Sequence, residues 1–357
     1  MKKHHDPVCG IKKTDTCSAC SPSIKRPFYC HQLFIVCAVI AAYYILGWFV
    51  PLFRPAALSL SMYLSKLFWP VALGLLLGGV IDWLVPHEYV SKLLAGHRKR
   101  TIFAAVLTGF LMSACSHGIL ALSIQLYKKG ASVPAVIAFL LASPWANLPV
   151  TILMFGFFGW KAALIIGAAI VVAVISGHLY LLLAKGGLIE ENPHTITVAK
   201  DFSIAKDIRQ KMAAATFSVS RTKAAGLHVW QGAVALGNMV LWWILLGALL
   251  ASTVAAFVPK DFMMSYMGAS FLGLLVTIAV ATVLEVCSEG TAPLAFEIYR
   301  QTGAFGNAFV FLMAGVVTDY TEIGLLWTNI GKKTALWLPV IAVPQVIVLG
   351  IVFNAVF

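Results

Sequence analysis

Long apolar stretches separated by short polar ones occupy most of the chain. Seven of them approach the length of about 20 residues that a bilayer span needs; they begin near Leu33, Leu67, Pro134, Ala162, Leu236, Ala308 and Leu336. Two further apolar stretches, near 101–127 and 270–298, carry polar residues and glycines in their middle. The pattern predicts an all-α polytopic membrane protein, because helices satisfy their own backbone hydrogen bonds inside lipid.

The two interrupted stretches contain the same motif. Cys115-Ser116-His117-Gly118 lies 172 residues before Cys287-Ser288-Glu289-Gly290, and in both copies a tyrosine and a basic residue follow at the same offset. The alignment extends to both sides of the motif, so residues 65–184 and 236–357 form two permease repeats. A duplicated, interrupted helix is the best sequence sign of a transport site in a membrane protein.

Lysine and arginine positions distinguish two topologies. If each motif segment crosses the membrane, the repeats are parallel, the chain has nine spans, and 14 basic residues lie inside against 12 outside. If each segment dips in and returns, the repeats are inverted and the count is 21 inside against 5 outside. Since cytoplasmic loops carry the excess of these residues, we expect about seven transmembrane helices plus two re-entrant helical hairpins, with nine spans in parallel repeats as the alternative.

The rest of the chain completes the domain plan. Residues 1–29 are expected to form a cytoplasmic tail, 30–52 an N-terminal transmembrane helix, and 185–235 a charged cytoplasmic linker. The plan places a multi-pass protein in a bacterial or archaeal plasma membrane with its N-terminus in the cytoplasm. The net charge of +12 is attributed to basic residues that set the membrane topology, and it does not indicate nucleic-acid binding. No P-loop or hydrolase motif occurs, so neither an enzyme nor a cofactor is expected.

The motif carries residues that bind soft metals. Thiolates such as those of Cys115 and Cys287 suit Cu(I), Zn and other thiophilic species, and symmetric hairpins would bring them together near the membrane midplane. His117 and Glu289 share one repeat position and could bind a cation or exchange it for a proton. The alternatives are cysteines that serve as small packing residues and a histidine and a glutamate that form a structural ion pair.

The other motif residues fit the backbone of a broken helix. Ser116 and Ser288 are able to cap the second half-helix of each hairpin. Gly118 and Gly290 permit close packing or an unusual turn.

The span that follows each motif is also interrupted at equivalent places. Pro144 and Asn147 interrupt the first of these spans, and Thr318 and Asp319 interrupt the second. Carbonyls freed by a break, together with Asn or Asp side chains, coordinate cations in transporters. A helix–helix hydrogen bond is the alternative interpretation.

Metal-ligating residues also cluster in the tail. His4, His5, Cys9, Cys17 and Cys20 include a Cys-x-x-Cys spacing that is common in metal sites. The seven cysteines of the chain are odd in number and two lie in membrane segments, which does not suit a disulfide framework. The tail is therefore expected to capture a metal ion; a disordered tail whose thiols cluster by chance is the alternative.

These motifs resemble the ArsP-type permease family. The resemblance rests on Cys-Ser-X-Gly followed by Tyr127-Lys128-Lys129, on the stretch 138–144 and on Gly290-Thr-Ala-Pro-Leu-Ala, and it covers most of 65–355. The family includes efflux carriers for trivalent organoarsenicals and predicted copper or zinc exporters. The resemblance implies that Cys115, Cys287 and the breaks at Pro144 and Gly315 line a permeation path. Residues 6–10 are similar to a heavy-metal-associated motif.

We therefore expect a secondary permease that exports a thiophilic metal or metalloid in exchange for protons. The implied partners are the transported ion, the lipid bilayer and a cytoplasmic metal donor. Two rival functions remain. One is a carrier for an organic or inorganic anion that binds at half-helix N-termini, and the other is a membrane assembly subunit that delivers metal through its thiols.

Overall fold

A computed structural model of the chain describes residues 32–84, 94, 99–109, 116–146, 148–193, 219–284 and 287–357. The regular elements within these ranges are all helices, which confirms the all-α prediction. The predictions for the tail, for Cys115 and for Asn147 lie outside the described residues, as does most of the linker.

The helices of the two repeats follow each other in the same order. Helix α1 spans Gln32–Phe49, and a 3-10 turn at Pro51–Phe53 precedes the first repeat. The first repeat comprises α2 (Arg54–Leu84), α3 (Lys99–Gly109), α4 (Ser116–Lys128), α5 (Val133–Ala146), α6 (Leu148–Phe158) and α7 (Lys161–Lys185). The second comprises α8 (Val219–Phe257), α9 (Lys260–Met267), α10 (Phe271–Leu284), α11 (Ser288–Thr302), α12 (Phe305–Val317), α13 (Tyr320–Asn329) and α14 (Lys332–Val356). Helix α2 thus corresponds to α8, and α3 to α7 correspond to α10 to α14.

Several of these helices are long and apolar enough to cross a membrane. Among the described residues there are 6 such spans, or up to 8 if the bent pairs α5–α6 and α9–α10 each count as one. The predicted number of seven falls within this range, and the polytopic membrane class is confirmed.

Helices α7 and α14, which hold the same place in the two repeats, run antiparallel. The Lys161 ammonium at the start of α7 lies 5.3 Å from the ring centre of Phe357, at the end of the chain. Near the other end of α7, the Tyr180 hydroxyl donates to the Thr334 carbonyl in the first turn of α14 (2.7 Å).

The equivalent helices α2 and α8 are antiparallel too. Phe53, just before α2, packs edge-on against Phe257 at the end of α8, with ring centres 5.5 Å apart. Gly79 near the end of α2 packs closely against the backbone of Val229 near the start of α8. Inverted repeats require this relation between equivalent helices; inversion across a membrane stays a prediction, which the two pairs support.

The two ends of the bundle differ in composition. What we term the basic end holds the termini of α3, α4 and α14 with Arg100, Lys128, Lys129, Lys332 and Lys333. What we term the aromatic end holds Lys66, Lys161 and Arg300 among the rings of Phe157, Phe158, Phe296, Tyr299 and Phe305. The excess of basic residues predicts that the basic end faces the cytoplasm.

Helices α10 and α11 form a helical hairpin, which we term hairpin 2. Thr277 in α10 accepts a hydrogen bond from Asn307 at the start of α12 (3.0 Å), and further along α10 Thr282 bonds Thr318 just after α12 (2.6 Å). After residues 285–286, which lie outside the described residues, the chain returns in α11, whose last turn carries Tyr299 at the aromatic end. Hairpin 2 therefore enters and leaves at one end of the bundle, as a re-entrant segment must; its depth in a bilayer stays a prediction.

Helices α3 and α4 form the equivalent hairpin 1 at the basic end. Ile102 near the start of α3 packs against α7 close to that end, and Gly109 at the end of α3 packs against Ser143 in the middle of the bundle. Helix α4 ends where the Tyr127 hydroxyl reaches the Ile330 carbonyl (3.5 Å). The turn of this hairpin, residues 110–115, lies outside the described residues.

Glu190, in the loop after α7, caps the first turn of α14 from outside that helix. Its Oε1 accepts a hydrogen bond from the Lys333 N–H (2.8 Å), and its Oε2 accepts from the N–H and hydroxyl of Thr334 (both 2.9 Å). Partial burial alone would raise the pKa of Glu190, but these hydrogen bonds outweigh it and hold the pKa below its ordinary value of 4.5. The carboxylate thus ties the end of one repeat to the last helix of the other.

Replacing Glu190 by alanine is expected to lower the free energy of unfolding by about 1 kcal/mol at neutral pH, because α14 loses its cap. Since the folded-state pKa lies below the unfolded value of 4.5, this stabilisation is complete above that pH and is lost as the pH falls through the folded-state pKa. Thermal unfolding in detergent over a range of pH measures the loss of stability, with Glu191→Ala, an exposed neighbour, as control. The capping role of Glu190 would be contradicted if both variants lost equal stability. It would also be contradicted if the stability difference between Glu190→Ala and the wild type did not become smaller in acid.

Candidate functional site

The motif residues of the second repeat lie at the turn of hairpin 2, inside the bundle. Cys287 occupies the N-cap position of α11, and its carbonyl accepts hydrogen bonds from the N–H groups of Gly290 (2.7 Å) and Thr291 (3.0 Å). Cys287, Ser288 and Glu289 are 1%, 2% and 3% exposed. A half-helix therefore begins in the protein interior, with the positive end of its dipole at the thiol.

Glu289 forms a polar cluster with its two neighbours. Its Oε2 accepts hydrogen bonds from the thiol of Cys287 and from the hydroxyl of Ser288 (3.1 Å). The prediction that Ser288 caps α11 is wrong, because Cys287 holds the N-cap position and the Ser288 hydroxyl turns to the carboxylate instead. A buried carboxylate next to a thiol can accept the thiol proton when the sulfur binds a cation.

Two residues that sequence reasoning missed shape the backbone here. Pro293, inside α11, has no N–H, so the Glu289 carbonyl lacks its helical partner. The Gly290 carbonyl packs against Gly247 of α8 so closely that a Cβ on Gly247 would lie nearer than 3.0 Å to the carbonyl oxygen. The signals were present in the sequence: a proline within the motif helix, and a glycine that aligns with Gly74 of the first repeat.

The break between α12 and α13 lies beside hairpin 2. Thr318, predicted as a site residue, bonds Thr282 of the hairpin at 2.6 Å. A Cβ on Gly315 would lie 3.8 Å from the Thr291 methyl carbon of the hairpin. The structure thus brings together the motif and the interrupted span of the second repeat.

Asp319 has a structural task at this break. Its Oδ1 accepts hydrogen bonds from the N–H and hydroxyl of Thr321 (both 2.7 Å) and from the Glu322 N–H (2.9 Å), so it caps α13. The side chain is 5% exposed. A role for Asp319 in cation binding stays a prediction beside this capping role.

The first repeat places its predicted residues in equivalent elements. Ser116, His117 and Gly118 form the first turn of α4, and Pro144 is buried near the end of α5, directly before the break that precedes α6. The meeting of Cys115 with Cys287 stays a prediction, since Cys115 and Asn147 lie outside the described residues. Within the described part of the chain no group of three or more His, Cys, Asp and Glu side chains is arranged to hold a metal ion.

A further buried carboxylate, that of Glu297, was not predicted. Glu297 of α11 is 0% exposed and accepts hydrogen bonds from Tyr63, Arg300 and Gln301. The signal was available, because an ionisable residue two turns after the motif in an apolar stretch is rarely accidental in a membrane protein.

Comparison with curated proteins finds relatives of which two are described as putative permeases. The chain is 27% identical over 254 residues to a "Putative permease" of Mycobacterium tuberculosis, which covers 65% of this chain and 60% of that protein. It is 21% identical to a UPF0718 protein of Bacillus subtilis, covering 74% of this chain and 84% of that one. It is 22% identical to a "Putative two-component membrane permease complex subunit" of Streptococcus mutans, covering 76% and 85%. No solved structure matches the chain.

The family assignment rests on a longer match. Residues 55–355, from the start of α2 almost to the end of α14, match the ArsP_1 family, whose description is "Predicted permease". This range contains both hairpins and both interrupted spans, and it confirms the resemblance seen in the motifs. The chain therefore belongs to the ArsP_1 family of predicted permeases.

Proposed function

We propose that this permease exports a thiophilic metal or metalloid, such as a trivalent arsenical, Cu or Zn, and that the turn of hairpin 2 is part of its substrate site. One observation carries the proposal: a thiol, Cys287, and a carboxylate, Glu289, are buried together where a helix is broken inside the bundle. Soft cations prefer sulfur ligands, and ionisable groups at such depth mark substrate or proton pathways.

For a metal cation, the proposed chemistry is an exchange of one proton for the ion. When the Cys287 sulfur binds the ion from the cytoplasm, the thiol proton passes to Glu289, which releases it to the cytoplasm. When the ion leaves to the outside, Glu289 takes up a proton from the outside and returns it to the sulfur. One proton therefore enters for each ion exported, which couples export to the proton gradient. The second cysteine, Cys115, and His117 would complete the site from hairpin 1.

The proposal includes an orientation. The basic end faces the cytoplasm of a bacterial or archaeal cell, where the tail with His4, His5, Cys9, Cys17 and Cys20 receives metal from a cytoplasmic donor. The positive-inside distribution of the described lysines and arginines supports this orientation.

A sensitivity panel tests the proposal. A strain without exporters of its own expresses the wild type, Cys287→Ser or Cys37→Ser, and is grown with arsenite, methylarsenite, copper or zinc. Cys37 is the matched control, since its thiol is exposed on α1, away from the hairpins. We expect the wild type to confer tolerance to at least one of these ions. Tolerance should fall by about tenfold or more in Cys287→Ser, because a soft ligand is lost, and should be unchanged in Cys37→Ser. Equal tolerance in both variants would contradict the proposal.

A second candidate function has one observation in its favour. The Streptococcus mutans relative is described as one subunit of a two-component permease complex. A partner-dependent permease of this kind would confer no tolerance when expressed alone and would gain it with a second membrane protein from the same source.

A further inference from the structure

A layer of aromatic side chains forms the part of the aromatic end that lies nearest the turn of hairpin 2. The Tyr63 ring of α2 packs against Phe157 of α6 (6.2 Å between ring centres) and Phe296 of α11 (6.4 Å), and those two rings are 5.2 Å apart. Phe296 is seven residues beyond Glu289, which is about 10 Å along a helix. The Lys66 ammonium lies over this layer, 4.7 Å from the Phe296 ring centre. We term these three rings the aromatic seal.

Glu297 adds a buried polar link to this seal. The Tyr63 hydroxyl donates to Glu297 Oε2, so the carboxylate joins hairpin 2 to α2. Arg300 donates through Nε and Nη2 at 2.8 and 2.7 Å, and Gln301 donates to Oε1 at 2.6 Å. Both carboxylate oxygens therefore have donors, and the negative charge is compensated where it is buried.

The link exists in one repeat only. At the offsets that align the repeats, the equivalents of Tyr63 and Glu297 are Leu236 and Gln125. The first repeat forms the same helices without a carboxylate at this place, so the fold itself does not need one. The Arg300 side chain is 44% exposed, so the network extends from the buried carboxylate to the surface of the bundle.

We propose that Glu297, with Tyr63 and Arg300, is the gate of the permeation path at the aromatic end. Its hydrogen bonds hold hairpin 2 against α2 in the closed arrangement. When these hydrogen bonds break, the three rings of the aromatic seal separate and open a route from Cys287 to that end. The inference rests on the proposed path past Cys287 and does not depend on the identity of the substrate. A few strong bonds around one carboxylate are suited to a gate, since they form and break together.

The accessibility of Cys287 tests the gate. A membrane-impermeant methanethiosulfonate reagent is added to right-side-out and to inverted vesicles, and modification of the Cys287 peptide is followed by mass spectrometry. The wild type should react slowly from the aromatic side. Tyr63→Phe and Glu297→Gln should react about tenfold faster or more, since each removes a hydrogen bond that involves a charged group.

Tyr43→Phe is the matched control, because it removes another tyrosine hydroxyl near the same end, one bonded to Thr253 at 2.8 Å, without touching Glu297. Unchanged rates in Tyr63→Phe, or an equal rise in Tyr43→Phe, would overturn the gate. If Glu297→Gln does not fold, Tyr63→Phe decides alone, because it keeps the ring and its packing. Failure of the proposed function would appear separately, as unaltered metal tolerance in Cys287→Ser.

Discussion

Replacing Gly247 by valine is expected to abolish transport and to lower the free energy of unfolding by about 3 kcal/mol or more. Gly247 of α8 faces the Gly290 carbonyl at the turn of hairpin 2, and any Cβ there would lie closer than 3.0 Å to the oxygen. A backbone carbonyl at a helix start cannot rotate away as a flexible side chain could. Either α8 separates from the hairpin, or the turn that holds Cys287 and Glu289 moves.

Gly167→Val is the control for this change. Gly167 is also a helical glycine in an apolar span, α7, and nothing lies within 4 Å of the Cβ that it would acquire. Thermal unfolding in detergent and metal tolerance in cells are measured for both variants. We expect the control to resemble the wild type. A Gly247→Val protein that remained stable and active would mean that α8 does not support the turn as described.

Replacing Glu289 by glutamine is expected to reduce transport at neutral pH by about 100-fold or more, the usual size of a lost general base. Glutamine keeps the shape of the side chain and one acceptor oxygen for the Ser288 hydroxyl, but it cannot take the proton of the Cys287 thiol. The ion must then compete with that proton for the sulfur. Because a free thiol ionises with a pKa of about 8.5, raising the pH should restore part of the activity in the variant and change the wild type less.

Glu191→Gln, which alters an exposed glutamate in the loop after α7, is the control for the loss of one negative charge. Initial rates of metal flux are measured from pH 6.5 to 9 in both variants. A uniform loss in Glu289→Gln at every pH would indicate that the carboxylate only supports the turn and does not receive the proton.

Much of the fold could be predicted because a helix that crosses a bilayer must be long and apolar, which is visible in the sequence. Apolar length alone located most of the spans, although α2 begins at Arg54 and not near Leu67. The second Cys-Ser-X-Gly motif marked the start of α11, where Cys287 is the N-cap residue; re-entry of hairpin 2 into a bilayer stays a prediction. The charge count favoured two inverted repeats, and the antiparallel pairs α2–α8 and α7–α14 support that prediction. These features depend on local composition and on the number of basic residues in each loop, and both can be obtained from a single sequence.

The contacts between distant elements could not be predicted in the same way. The hydrogen bond from Tyr63 to Glu297 joins residues 234 positions apart. The sequence around either residue gives no indication of its partner. Ser288 had the residue type of a helix cap, but the neighbouring carboxylate of Glu289 offered its hydroxyl a better partner. Gly247 looked like any glycine of a membrane helix until α8 was seen against hairpin 2.

Metal flux in vesicles tests the central claim, that a buried thiol at the turn of hairpin 2 belongs to the substrate path. The purified wild type, Cys287→Ser and Cys37→Ser are reconstituted into inverted vesicles with an imposed proton gradient, and the accumulation of the ion selected by the sensitivity panel is followed. We predict flux in the wild type and in Cys37→Ser, and flux near the level of empty vesicles in Cys287→Ser. Undiminished flux in Cys287→Ser, with all three proteins equally folded, would contradict the account.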